Sequence, residues 1–296
     1  MAAFARPALA GLVAGLLSAT AAAAGPVLDA IAERGGIRLG VRSDAPPFSS
    51  IVDGTAQGFT VALCGAVAGA LKEELGAERF NATLVPVGTA ERFETLARGE
   101  IDLLCGATTV TLTRRAEVDF SIPVFLTGVG AVIAADAPPL LRAVLVEDGP
   151  AALSQTIVTE ALKGTRLGVR ADTTAGTWLS GPALEGVPEV EIAEFDSHEA
   201  GIAQVESGEL DAYLADHAIL TALTRGREGL AISQKAFTHE PYALAMPRGD
   251  AQLRLSVDRA LSRLYRSGRV LALFERSFGP PNAAVRAFYA NAAIPE

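Results

Sequence analysis

Positive charge is scarce in this 296-residue chain: 25 Lys and Arg stand against 34 Asp and Glu, for a net charge of −9. That balance repels phosphate backbones, and no local basic stripe offsets it, so nucleic acid is excluded as a partner. Beyond the N-terminal segment no apolar run approaches the ~20 residues of a membrane-spanning helix, which excludes a polytopic membrane protein. The three histidines, His198, His217 and His239, lack any short metal-ligand spacing, and two cysteines alone cannot make a zinc site. Neither a Gly-x-Ser-x-Gly elbow nor a nucleotide-binding glycine pattern occurs. The expectation is therefore a protein with no metal, no cofactor and no catalytic residues, whose default function is binding. Apolar substance is plentiful: half the residues are hydrophobic, enough for one large core or two ordinary ones, and disorder is excluded for the bulk of the chain.

Residues 1–24 read as an address. Arg6 precedes an apolar stretch from Leu9 to Leu17, and Ala21 to Ala24 lead into Gly25-Pro26, the pattern of a secretory signal peptide. The mature chain then starts near Gly25, and its expected compartment is the periplasm. An oxidising compartment lets a disulfide persist, so Cys64 and Cys105 are read as one bond, with two buried thiols as the alternative.

From Ile37 a short apolar run ends at Ser43-Asp44-Ala45-Pro46-Pro47, a strand entering a loop. Gly58 to Leu75 has helical spacing, a strand follows at Ala82 to Val87, a helix at Ala90 to Arg98 and a strand at Ile101 to Leu104. Alternation of this kind predicts α/β architecture with a parallel sheet. An internal echo divides it in two: Leu96 to Leu103 resembles Val205 to Ala212, each with a glycine placed to end a helix before a strand. Thr165 to Arg170 repeats the look of the first strand and runs into the polar loop Ala171 to Thr177, where backbone N–H groups and hydroxyls would suit an anion or simply cap a helix. Leu253 to Phe278 predicts two helices around Gly268, followed by a tail in which Val285, Phe288 and Tyr289 form another turn.

The strongest polar signal is Cys105 to Arg115 with Val118-Asp119-Phe120-Ser121: a small-residue turn, several hydroxyls, and Arg114, whose planar guanidinium matches a carboxylate. Together with Glu33 to Arg42 and Pro46-Pro47-Phe48, Gln57-Gly58-Phe59, Leu96 to Asp102, Gly168-Val169 with Thr173-Thr174, Gly208-x-x-Asp211-Ala212-Tyr213-x-x-Asp216 and Glu240 to Ala245, it resembles the periplasmic solute-binding proteins of polar amino-acid ABC importers, family 3. The resemblance covers nearly all of the mature chain. It implies an α/β, two-lobed periplasmic-binding-protein type II clamp with two hinge crossings, working as a monomer that delivers a small-molecule amino acid to an inner-membrane ABC permease.

By the same resemblance Arg114 grips the ligand's α-carboxylate, helped by Thr109 and backbone N–H groups near Ala107, Thr173 and Thr174, and Asp216 takes the α-ammonium. Gly40-x-Arg42 and Cys105-Gly106-x-Thr108-Thr109 are most similar to the glutamate/aspartate-binding subgroup, which adds Thr108 to the binding set. There Arg42 and Arg92 would address a side-chain carboxylate, Thr89 would add a hydroxyl, and His198 would hydrogen-bond across the cleft. Three departures bear on ligand identity: Ala107 stands where that subgroup has serine, Asp44 can neutralise Arg42, and Asp172 replaces a glycine. The expected lobes are residues 25–124 plus 242–296, and residues 128–237. The rivals are an enzyme on the same scaffold, a cyclohexadienyl or arogenate dehydratase-like lyase with His198 or Asp172 as its acid or base, and a sensor domain, disfavoured because no anchor or kinase segment follows Glu296.

Overall fold

The computed structural model describes residues 25–147, 149–181 and 184–295; the expected signal segment, residues 1–24, lies outside them. The chain runs through α1 (Pro26–Arg34), β1 (Gly36–Val41), three short strands β2 (Asp44–Ala45), β3 (Ser49–Val52) and β4 (Thr55–Gln57), then α2 (Phe59–Glu74), β5 (Asn81–Pro86), α3 (Arg92–Ala97), β6 (Leu103–Cys105), α4 (Leu112–Arg115) and β7 (Val118–Phe120). After β8 (Phe125–Thr127) come β9 (Val129–Ala134), α5 (Pro139–Arg142), α6 (Gln155–Leu162), β10 (Arg166–Arg170), α7 (Thr174–Leu179), β11 (Glu191–Phe195), α8 (His198–Glu206), β12 (Ala212–Asp216), α9 (His217–Leu223) and β13 (Leu230–Ile232). The chain returns through β14 (Glu240–Tyr242) to β15 (Ala245–Pro247), α10 (Ala251–Arg266), α11 (Arg269–Phe278) and α12 (Ala283–Ala292).

Two five-stranded sheets result, ordered β5-β1-β6-β15-β7 and β11-β10-β12-β9-β13, each within its own α/β lobe, with β8 and β14 pairing antiparallel between them. The echo in the sequence marks equivalent places: Gly99 and Gly208 both take positive φ, 65° and 76°, and each precedes the last of the three mutually parallel strands of its sheet, β6 or β12. A purely parallel sheet was expected, and both sheets are mixed instead. β1 runs parallel to β5 and β6, and β10 to β11 and β12, but β15 and β9 run antiparallel to their neighbours. The reason is topological. β9 and β15 are the first strands after each hinge crossing, so they start at the edge facing the other lobe, where the βα strands end.

Local chemistry fixes the ends. Asp250 caps α10 by accepting from Leu253 N–H at 2.8 Å, and its other oxygen accepts from Val27 and Leu28 at the start of α1, which ties the two helices together. Helix α2 buries Phe59, Leu63, Cys64, Val67, Ala68 and Leu71 at helical spacing against the first sheet. Its Cys64 is bonded to Cys105 at the end of β6, with the Cα atoms 6.1 Å apart, so the disulfide reading holds. Under the hinge, Phe48, Phe59, Phe125, Phe274 and Phe278 pack ring against ring. The expected terminal turn is a full helix, α12: Asn282 caps it, and Tyr289 is buried with its hydroxyl donating to the Val124 carbonyl. Among the described residues no helix is long and apolar enough to cross a membrane, and no cluster of metal-ligating side chains occurs.

Candidate functional site

In both lobes the βα strands end at the edge facing the hinge, so the residues after each strand, and the helix N-termini that follow, converge on the space between the lobes. A cavity of about 50 Å³ lies there. Arg42 follows β1; Thr89 and Arg92 follow β5; Ala107 and Thr109 follow β6; Arg114 lies on α4. Facing them are Arg170 at the end of β10, Thr173 and Thr174 at the start of α7, His198 at the start of α8 and Asp216 at the end of β12. Of the residues assigned to ligand binding from the sequence, Thr108 alone does not line the cavity; it is buried, and its carbonyl accepts from Ala243 N–H.

Guanidinium groups dominate the wall. Arg42 donates through Nη2 to Asp44 Oδ1 (2.9 Å) and Thr89 Oγ1 (2.5 Å), and Arg170 donates to the other oxygen of Asp44 from the opposite lobe. Arg92 donates to the Thr89 carbonyl and, at 3.1 Å, to the Asp172 carbonyl; Arg114 donates to the Thr109 carbonyl at 3.0 Å. Among the described residues no carboxylate forms an ion pair with Arg92, although Asp172 is near enough to act on it. Burial, reinforced by the neighbouring Arg114 and Arg42 cations, brings Arg92 down to about 9. Burial also lowers Arg42 and Arg114. Asp44 is lowered as well: burial raises it, but Arg42 and Arg170 together hold it below the usual carboxylate range. The Nε atoms of Arg42 and Arg92 are buried and meet no acceptor among the described residues.

The acids of the site lie at the hinge end. Asp216 caps α9, Oδ1 accepting from Ala218 and Ile219 N–H at 2.9 and 3.0 Å, while Oδ2 accepts from the Tyr242 hydroxyl at 2.7 Å. Burial pushes its carboxyl up to about 6 against these hydrogen bonds. Glu240 on β14 accepts through Oε2 from Thr109 Oγ1 of one lobe (2.8 Å) and Thr174 Oγ1 of the other (2.7 Å). His198 also lines the cavity. Its Nδ1 lies 3.0 Å from the hydroxyl of Tyr213 in its own lobe, and burial next to Arg170 brings the imidazole down to about 3, so it is uncharged at neutral pH.

Arg170, Glu240 and Tyr242 were not nominated from the sequence. Arg170 had a signal: Arg38-Leu39-Gly40-Val41-Arg42 recurs letter for letter as Arg166-Leu167-Gly168-Val169-Arg170, so the two arginines that flank Asp44 end equivalent strands. Asp172, expected to repel anions, has φ 57° and turns its backbone carbonyl toward Arg92, its side chain lining the wider mouth of the cleft.

The chain matches the bacterial extracellular solute-binding proteins, family 3, over residues 37–280. The L-cystine-binding protein of Escherichia coli is 28% identical over 255 residues, 86% of each chain. The glutamate/aspartate import solute-binding protein of Salmonella typhimurium is 27% identical over 278 residues, 92% of this chain and 86% of that one. Among solved structures, an ancestral arginine-binding protein bound to arginine aligns with a TM-score of 0.70 at 25% identity, over 83% of this chain and 99% of its own.

Proposed function

Since the chain belongs to the bacterial extracellular solute-binding proteins, family 3, and so to the amino-acid-binding components of ABC transporters, we propose that its ligand is an L-amino acid with an acidic or polar side chain, glutamate and aspartate foremost. The observation that carries this reading is the charge around the cavity. Arg42, Arg92, Arg114 and Arg170 line it, whereas the carboxylates hydrogen-bonded to its wall are Asp44, Asp216 and Glu240, with Asp172 outside it at the wider mouth beside Arg92 and Arg114. Within the cavity itself one positive charge is left over. A zwitterion leaves that excess in place, a basic amino acid doubles it, and an acidic one cancels it in a site that excludes water.

In this reading Arg114 holds the α-carboxylate with help from Thr109 and the N–H groups near Ala107, Thr173 and Thr174, and Asp216 faces the α-ammonium. Arg42 and Arg92, with Thr89, address the side chain. Residues 1–24 are removed on export to the periplasm. The lobes, residues 25–124 plus 242–296 and residues 128–237, then close on the ligand as a monomer and present it to an inner-membrane permease. The relatives' names span cystine, glutamate/aspartate and arginine, so ligand class rests on the charge balance and not on kinship.

Titration calorimetry with a panel of acidic, amide, basic and apolar L-amino acids tests the proposal, followed by mass analysis of the recovered ligand. Saturable binding of glutamate or aspartate, returned unchanged, supports it. Preference for a basic amino acid, or conversion of the ligand, overturns it.

A further inference from the structure

Resting on the acidic-ligand reading, we propose that Asp44 is the resident counter-ion of a side-chain carboxylate subsite, and that Arg170 joins Arg42 in holding the ligand's distal carboxylate once that group displaces Asp44. Arg42 and Arg170 end equivalent strands of the two lobes and meet on one carboxylate, each taking a different oxygen. Two planar donors converging from opposite sides form a receptor for a carboxylate whichever molecule supplies it.

Asp44 is the member of the trio free to leave. Its side chain is 29% exposed, against 5% for Arg42 and 8% for Arg170, and it lies on the two-residue strand β2, so a rotated carboxylate reaches solvent while the guanidiniums cannot.

The exchange also selects. A carboxylate that replaces Asp44 keeps both buried cations paired, whereas a carboxamide that replaces it leaves two guanidiniums facing each other without an anion, which is costly in a water-poor site. An amide ligand must therefore coexist with Asp44, and an acidic one need not.

The experiment is calorimetry with L-glutamate and L-glutamine on the parent, Arg170→Gln and Asp44→Asn, with circular dichroism as the check on folding. In Arg170→Gln the ratio of glutamate to glutamine affinity falls at least about tenfold. In Asp44→Asn, whose side chain competes without charge, the same ratio rises at least about fivefold. If Arg170→Gln does not fold, Asp44→Asn alone decides. An unchanged ratio in a folded Arg170→Gln, or a fall in Asp44→Asn, overturns the inference while leaving the acidic-ligand reading intact. A parent that binds some amino acid but no acidic one overturns both.

Discussion

The hydroxyl of Tyr242 donates to Oδ2 of Asp216 at 2.7 Å, joining a hinge strand to the acid that caps α9. This bond and the two backbone N–H groups on Oδ1 act against burial, and burial prevails: the carboxyl sits near 6, above its ordinary 3.8. The folded protein thus holds this proton more tightly than the unfolded chain does. The associated stabilisation is complete below the unfolded value and is lost as pH rises through about 6.

Asp216→Asn, which imitates the protonated acid, is accordingly expected to melt at a higher temperature than the parent near pH 8 and at the same temperature near pH 3.5. The upper limit of the difference is about 2–3 kcal/mol for a shift of two units. Ligand affinity has the opposite slope. In the proposed binding mode Asp216 must be ionised to face the ammonium, so the Kd of the parent is expected to rise as pH falls from about 7.5 to 5. Thermal melts and calorimetry across that range check both.

Arg114→Ala removes the donor assigned to the α-carboxylate and leaves that group buried without a partner. Affinity for every amino acid that binds the parent is expected to fall about a hundredfold or more, consistent with loss of a charge-assisted hydrogen bond in a closed site. The far-ultraviolet circular dichroism spectrum stays as it was, because α4 is a four-residue helix that contributes no side chain to a hydrophobic core. Retained affinity removes Arg114 from the site.

Opening the Cys64–Cys105 bond frees a loop spanning a separation of 41 residues. In the chain-entropy account this costs about 4 kcal/mol. Urea unfolding with and without reductant, repeated on a Cys64→Ala and Cys105→Ala double variant, should show the midpoint falling by a similar amount in both cases.

Gly201 on α8 packs against the ring of Tyr213, and a Cβ there would sit 2.1 Å from the nearest ring atom. Gly201→Ala must push the ring, and with it the hydroxyl that meets His198. A destabilisation of about 1–3 kcal/mol is expected, as for other overpacked cores. A weakened ligand affinity accompanies it if the orientation of His198 matters to the cleft.

Much of this could be read from the letters. The strands, the helix-ending glycines and the repeated unit were legible because each is a local pattern of about ten residues, and the motifs placed Arg42, Arg92, Arg114, Thr173, Thr174 and Asp216 on one cavity wall. Contacts made only by the return of the chain were not legible. Glu240 meets Thr109 from 131 positions away, and no periodicity links the two. Arg170 is the instructive omission, since an identical stretch of five residues had already been marked as a strand leading to a site. The sequence placed His198 at the cleft, where it lines the cavity, but only packing on α8 reveals that Tyr213 in the same lobe meets its Nδ1. The parallel sheet was mistaken because strand order depends on where the chain re-enters after crossing between lobes, which spacing does not encode.

The lobes are joined by two strands hydrogen-bonded to each other, with Thr127 opposite Glu240 and Phe125 opposite Tyr242. A single tether would let the jaws swivel and shear; a paired ribbon resists both and leaves one easy axis of rotation. Under the proposed function, each closure of the lobes would follow the same arc and end in the same outline, a shape by which a receiving complex would tell a loaded protein from an empty one without touching the cargo.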